Sequence, residues 1–323
     1  MENKVGNEDL RKRISGSFVG AASGDVLGAA VEFQSHEQIV SKYGNPGISD
    51  FTTGGPFGFK LGEITDDTQQ AILLAEALLE HDGTADDFWK RFGDKLVTWR
   101  ATAQDVGSQT AQGIRMYHDG ATFLDMLKIG PRTRPSNGAV MRVYPVAFMY
   151  YDDPERMIQY TRLATAITHP HPEAVACAIM FNMMVAGMLT YPVNMEDFRI
   201  NAFYDMYKIK ANNFLSDDEK ATIKSLEEFV IRTTPVHSYT LAREALQVAF
   251  FYATRNNTEM AIISACSFGG DNDTHGAVAG ALAGLAGIDN LPRRWVTKIV
   301  EIDHIIELSD KITDYHVNKQ PVS

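Results

Sequence analysis

An all-α fold is what this sequence predicts, on three observations: helical periodicity in most segments, no sustained alternation of apolar and polar residues, and glycine and proline confined to a few clusters. The clearest helix opens at Thr65-Asp66-Asp67-Thr68, where Ile72, Leu74, Ala75, Leu78 and Leu79 form one apolar stripe and Thr65 suits the N-cap. Similar patterns, rich in Ala, Leu, Met or Glu, predict helices over 157–166, 172–189, 217–231 and 242–254. The polar stretch 208–220 reads as a surface excursion. Glycine and proline gather at 44–62, 130–138 and Gly269-Gly270, each just ahead of a helix or motif, as loops converging on a site would. With no repeat, low-complexity tract or linker, the expected architecture is one compact multi-helix domain over 1–323.

Composition narrows the function. At 323 residues and 45% hydrophobic content the chain can bury a sizeable core. Thirty Lys and Arg against 41 Asp and Glu give a formal charge of −11, which argues against nucleic acid as a stable partner. A small anionic ligand is still possible, held by backbone amides and metals. The two cysteines, Cys177 and Cys266, lie far apart without CxxC spacing, so neither a disulfide framework nor a thiolate zinc site is implied, and a reducing cytoplasm fits. Arg11-Lys12-Arg13 before an apolar stretch imitates a signal peptide, but an acidic leader precedes it and Asp25 interrupts it. No apolar run is read as a membrane span, so no membrane partner is expected. The oligomeric state has no signature here.

The chemistry concentrates in two carboxylate clusters at opposite ends of the chain, Thr65-Asp66-Asp67-Thr68 and Asp271-Asn272-Asp273-Thr274, each opening an Ala-rich helix. Capping is the plain explanation, since Asp and Thr satisfy orphan amides and complement the helix dipole. Metal binding is the sharper one. Adjacent Asp66 and Asp67 project differently and carry more charge than one cap needs, whereas Asp271 and Asp273 share a side if their backbone is extended. With the threonine hydroxyls they form an oxygen-only ligand set, suited to two Mg²⁺ or Mn²⁺ ions rather than zinc. After Asp273, glycines 276, 280 and 284 fall on one helix face, a pattern of tight packing that would bring the second cluster against the central helices.

In order and spacing these motifs resemble the ADP-ribosylglycohydrolases, over roughly Ile14 to Trp295. Gly16-Ser-Phe-Val-Gly20-Ala-Ala-Ser-Gly24-Asp25-Val-Leu-Gly28-Ala-Ala-Val-Glu32-Phe33 resembles the family's opening helix and its glutamate, and Gly62-Glu63-Ile64-Thr65-Asp66-Asp67-Thr68 its first metal motif. Ser136-Asn137-Gly138-Ala-Val-Met141-Arg142, Thr168-His169-Pro170 and Gly269-Gly270-Asp271-Asn-Asp273-Thr274 follow as its Asn-Gly-x-x-Met-Arg, Thr-His and second metal segments. Asp105-Val-Gly107 resembles, over a shorter match, an active-site segment of the arginine-directed and nitrogenase-regulating branch. His275 and His237 depart from the pattern, at positions where adenine or the leaving group would be held.

The resemblance implies hydrolysis of the glycosidic bond between ADP-ribose and a modified protein, arginine-linked in particular, or a small ADP-ribosyl compound. Thr65, Asp66, Asp67, Asp271, Asp273 and Thr274 would be the metal positions, and Glu32, Asp66, Asp67 or Asp105 would supply the general base. Glu32 is also a candidate gate, followed as it is by a glycine-rich loop. Backbone amides around Gly107-Ser108 and Ser136-Asn137-Gly138 would take the diphosphate, and His169 would line the cleft, more so than His171. Arg142 is a candidate for phosphate or for an internal salt bridge. Phe59, in the glycine-rich loop, is the preferred adenine stacker; Trp89, Trp99 and Tyr117 are assigned to the core. A non-catalytic, crystallin-like relative is the alternative from another class; lost metal positions would favour it, and all are retained.

Overall fold

The computed structural model describes residues 5–191, 200–231, 233–235 and 240–319, and among them it contains helices and isolated β-bridges but no strand. The all-α expectation is met, with close boundaries: the helices run Pro154–Ala166, Pro172–Thr190, Asp217–Val230 and Ala242–Ala253. Local chemistry sets their starts. Asp153 accepts from the Arg156 amide ahead of Pro154, and Ser216 and Glu219 form a reciprocal capping box. The stretch 208–220 is not an excursion. It spans the end of the Ile200–Ala211 helix, a 3₁₀ turn at Asn212–Phe214 and the start of Asp217–Val230, and its polarity belongs to faces that look outward.

At the centre lies Pro172–Thr190. Its mean hydropathy of 1.6 over 18 residues makes it long and apolar enough to cross a membrane, which corrects the reading that no run is. In the structure 89% of that window is buried inside the protein, against Pro154–Ala166, Ile200–Ala211 and Ala242–Ala253. A helix apolar on every side needs neighbours on every side.

The site is positioned by a second pair, Asn7–Ala29 and Asn272–Ala283, which lie antiparallel with their backbones in contact. Gly16, Gly20, Gly24 and Gly28 recur at every fourth residue of the first helix, and each faces the second. A methyl carbon added to them would sit 2.2 Å from Gly284 O, 2.4 Å from Gly280 O, 1.9 Å from Gly276 O and 2.3 Å from Asn272 O. The opposing atoms are backbone and cannot rotate away. Ser17 Oγ donates across the seam to Ala281 O at 2.7 Å. The tight packing expected of glycines 276, 280 and 284 is thus matched by a reciprocal ladder on the first helix. Because the last rung is Gly28 against Asn272, the chain leaving one helix and the chain entering the other emerge side by side, and these segments hold Glu32 and Asp271 to Asp273.

Candidate active site

One cleft, with a cavity of about 240 Å³, collects side chains from every motif singled out above. Glu32, Asp66, Asp67, Asp105, Gly107, Ser108, Asn137, Gly138, His169, Asp271, Asp273 and Thr274 all line it; Thr65 lies behind the wall, fully buried. A larger cavity of about 1000 Å³ beside Trp89, Tyr117 and Phe123 holds none of the clustered acids, so chemistry rather than size selects the smaller one.

Each acid arrives by its own route. The Asp25 carboxylate, buried in the glycine-faced helix, accepts from the Thr65 amide at 3.1 and 3.2 Å and from the Thr68 amide at 3.2 Å. It therefore fixes the N-terminus of Asp66–Glu80 against the first helix. Asn272 clamps the other side: its amide donates to Val31 O and Gln34 O at 2.7 and 3.3 Å, while Phe33 N donates to Gly270 O at 2.7 Å. Short bridges at Ser35 with Gly269 and Ser136 with Leu241 tie the loops together, and Asn137 Nδ2 reaches Asp271 Oδ2 at 2.8 Å.

Capping can now be weighed against metal binding. Thr65 does cap, its hydroxyl accepting from the Asp67 amide at 3.3 Å. Of the acids only Asp273 takes an amide of its helix start, its Oδ1 accepting from Thr274 N at 2.9 Å. Asp66 accepts from the Gln70 side chain at 2.8 Å, and buried Asp67 Oδ1 has no hydrogen-bond partner. Asp271 holds the N-cap position of Asn272–Ala283 without a side-chain cap bond. Its backbone (φ −85°, ψ 74°) leads straight into the helix containing Asp273, so the two acids share the cleft through a helix start and not through extended chain. Buried Glu32 Oε2 is likewise unpartnered, and Glu32, Asp105 and Asp273 each offer an oxygen within 4.8 Å of the others.

Such a cluster is unstable without a counter-charge. Burial, then repulsion from Asp271, Asp105, Asp66 and Asp25, pushes the Glu32 carboxyl up to about 9. Burial and then neighbouring carboxylates raise Asp66, Asp67 and Asp273 well above the carboxylate range, while burial and Asp271 raise Asp105 to about 6. Among the described residues no Lys or Arg forms an ion pair with any of them. Orphaned oxygens, mutual repulsion and an oxygen-only donor set together fit divalent cations.

Several assignments change. Arg142 reaches neither the cleft nor a salt bridge: fully buried, it donates to Gln70 Oε1 at 2.6 Å, Gly138 O at 2.7 Å, Ala164 O at 3.2 Å and Thr168 Oγ1 at 2.5 Å. It braces the wall, since Gln70 in turn holds Asp66 and Thr168 holds His169 Nδ1 at 2.7 Å. Burial, then Arg142, keeps His169 neutral by pushing its pKa well down. His171 caps the Pro172 helix instead, accepting from Glu173 N at 3.1 Å. His275 is buried against Phe268, away from the cleft lining, and His237 lies outside the described residues. Phe59 is not at the cleft; it is buried within its own loop, 6.2 Å from Phe57.

The aromatic that does line the cleft is Phe33. It is 55% exposed and, at φ +63°, has the one positive φ among the described residues other than glycine, a conformation that costs a bulky residue about 1–3 kcal/mol. Gln109, whose buried Nε2 is unpartnered, and Arg134 at the rim were also missed. Both lie one or two residues from motifs that were recognised, but nothing in the local sequence distinguishes them. Asp25 was visible as a charge in an apolar stretch; its role needs a partner 40 residues away.

Comparison with known proteins agrees with this geometry. The family model described as ADP-ribosylglycohydrolase matches residues 6–321, wider than the motifs alone delimit. The chain is 29% identical over 295 residues to the ADP-ribosyl-[dinitrogen reductase] glycohydrolase of Rhodospirillum rubrum, covering 90% of this chain and 91% of that one. It is 26% identical over 318 residues to the ADP-ribosylarginine hydrolase Tri1 of Serratia proteamaculans, covering 95% and 80%. A solved structure described as an ADP-ribosylglycohydrolase-related protein complex superposes with a TM-score of 0.75 at 25% identity, covering 95% of this chain and 99% of that chain.

Proposed function

Because the chain belongs to the ADP-ribosylglycohydrolase family, and with it hydrolyses glycosidic bonds, we propose that it releases ADP-ribose from modified arginine side chains of a protein, using two divalent cations, Mg²⁺ or Mn²⁺. The observation that carries this reading is the set of uncompensated carboxylates, drawn from four separate stretches of chain, that face one cleft. Two of the relatives are named for ADP-ribosylarginine and for ADP-ribosylated dinitrogen reductase, and Asp105 stands in the segment resembling theirs. The crystallin-like alternative has no support in a wall that keeps every acid.

Thr65, Asp66, Asp67, Asp271, Asp273 and Thr274 would hold the cations, whose charge would orient the ribose hydroxyls and acidify a water. The remaining steps fall to the chain. Asp105, whose carboxylate offers an oxygen within 4.8 Å of oxygens of Glu32 and Asp273, takes the proton of the attacking water. The bond from carbon to the guanidino nitrogen breaks as the bond to water oxygen forms. The guanidine leaves and then recovers that proton as guanidinium, so charge and protons balance. The Gly107 and Ser108 amides at the start of Ser108–His118, with Gln109 Nε2, offer donors for the diphosphate and sugars, whereas the Ser136 and Asn137 amides expected to do so already donate to Arg134 O and Thr240 O. Neutral His169 and the buried Arg142 brace keep the wall in register.

The test is a panel of ADP-ribosylated arginine peptide, serine peptide, nucleic-acid ends and ADP-ribose-1″-phosphate, assayed with Mg²⁺, Mn²⁺ or a chelator. The expected result is metal-dependent release of ADP-ribose from the arginine substrate in preference to the others. Turnover of another linkage with none on arginine refutes the substrate, and full activity under chelation refutes the cations.

A further inference from the structure

Phe33 is the residue in the cleft that neither the acid cluster nor the diphosphate donors explain. Its backbone is held left-handed on both sides: Phe33 N donates to Gly270 O at 2.7 Å, and Gly270 N donates back to Gln34 O at 3.1 Å. A buried phenylalanine would be stabilised by its contacts, but this residue is more than half exposed and lines the cleft. An L-residue in that conformation, where glycine would be unstrained, implies that the exposed ring itself does something.

Position limits what that is. Phe33 follows Glu32, whose carboxylate lies within 4.8 Å of oxygens of Asp105 and Asp273, and it lines the same cleft as these acids. If the glycosidic bond is cleaved at that wall, adenine is two sugars and a diphosphate away. What lies next to the bond on its other side is the group the ADP-ribose was attached to. An aromatic face beside carboxylates suits a planar cation: the ring quadrupole attracts it, and the guanidinium plane stacks while its edges hydrogen-bond to oxygens.

Resting on the arginine reading above, we infer that the Phe33 ring is the surface on which the guanidinium of the ADP-ribosylated arginine stacks, with Glu32 at its edge, and that Phe33 thereby selects the arginine linkage. The ring does not serve ADP-ribose itself. Tyrosine can replace it, whereas leucine, of similar bulk and under the same backbone constraint, cannot.

The experiment compares wild type, Phe33→Tyr, Phe33→Leu and Phe33→Ala in the metal-loaded full chain, measuring kcat/KM on ADP-ribosylarginine peptide and the inhibition constant of free ADP-ribose. Phe33→Leu and Phe33→Ala are expected to lose roughly tenfold in kcat/KM, as forfeiting a partly desolvated cation–π contact implies, while Phe33→Tyr stays within about twofold. ADP-ribose inhibition should not move in any of them. Equal weakening of ADP-ribose inhibition in the leucine and alanine variants would overturn the inference and assign the ring to adenine or ribose. Unchanged kcat/KM in Phe33→Leu would overturn it too. If Phe33→Ala misfolds, the tyrosine and leucine pair decides alone. Wild type inactive on the arginine substrate instead removes the functional reading, and this inference with it, before any variant is compared.

Discussion

The pair Asn7–Ala29 and Asn272–Ala283 behaves differently at its two ends. Along the seam, glycine against glycine removes side chains altogether, so that backbones touch and dispersion accumulates over the whole contact. Where the seam stops, at Gly28 and Asn272, the chain crowds carboxylates that repel one another and leaves oxygens of Glu32 and, across the cleft, Asp67 without a hydrogen bond. One region gains stability from having no side chains, and the other gives up stability to hold charge in place. The comparison teaches how a cation site can be prepared in advance: the rigid seam sets the spacing, and the acids cannot relax away from each other.

The largest expected effect breaks the seam. In Gly280→Ala the new carbon would meet Gly20 O at 2.0 Å and Gly20 C at 2.5 Å, so the helices must separate. Urea unfolding should show a loss of about 3 kcal/mol, the upper end for overpacking. Gly6→Ala is the control: nothing lies within 4 Å and φ is −67°, so the change should cost only the N-cap preference for glycine over alanine, about 1 kcal/mol or less. A Gly280→Ala protein as stable as the control would mean the seam is not where the stability resides.

A smaller effect reads the other end by pH. The folded-state pKa of Glu32 lies above its ordinary 4.5, at about 9, so the folded protein holds a proton that the unfolded chain has released. Stability from this group is therefore full below about 4.5 and is lost as pH rises toward about 9, at no more than about 1.4 kcal/mol per pH unit. In chelator, Glu32→Gln should remove that decline and gain on wild type as pH rises from 5 toward 9 (roughly the interval that linkage sets). Added Mn²⁺ should stabilise wild type more at pH 8 than at pH 5. Parallel stability curves for wild type and Glu32→Gln in chelator would show that Glu32 is not held against repulsion.

How much of this was legible depended on distance along the chain. Helices 172–190 and 217–230 were readable because periodicity and caps are local, and all the candidate metal, base and substrate-binding residues except Thr65 line the cleft. Asp271 and Asp273 were placed together for the wrong local reason, since a helix start and an extended strand both bring alternate residues near one another. The stretch 208–220 misled because a helix with an outward polar face and a polar loop have the same composition. The roles of Asp25, Arg142 and Phe33 could not be read from their own stretches of chain. Asp25 acts on amides 40 and 43 residues away, Arg142 on Gln70 and Thr168, and the left-handed turn at Phe33 is imposed by Gly270. Such roles exist only once the seam has brought the two ends of the chain together.

The smallest expected effect sharpens the comparison with an aromatic that belongs to packing. Phe59 sits in the glycine-rich loop where sequence alone would put an adenine stacker, yet it is 5% exposed, its carbonyl accepts from Gly54 N at 3.2 Å, and its ring meets Phe57. A ring already covered by its own loop has no face to offer a ligand without reopening that loop. Phe59→Leu keeps an apolar side chain of similar bulk, so the loss should be about 1 kcal/mol or less in urea, with kcat/KM and ADP-ribose inhibition at wild-type values. Set beside Phe33→Leu, which should leave stability almost untouched and change turnover, the two substitutions exchange their effects. If Phe59→Leu weakened ADP-ribose inhibition while melting like wild type, Phe59 would rejoin the cleft, and its loop would have to open whenever the ligand binds.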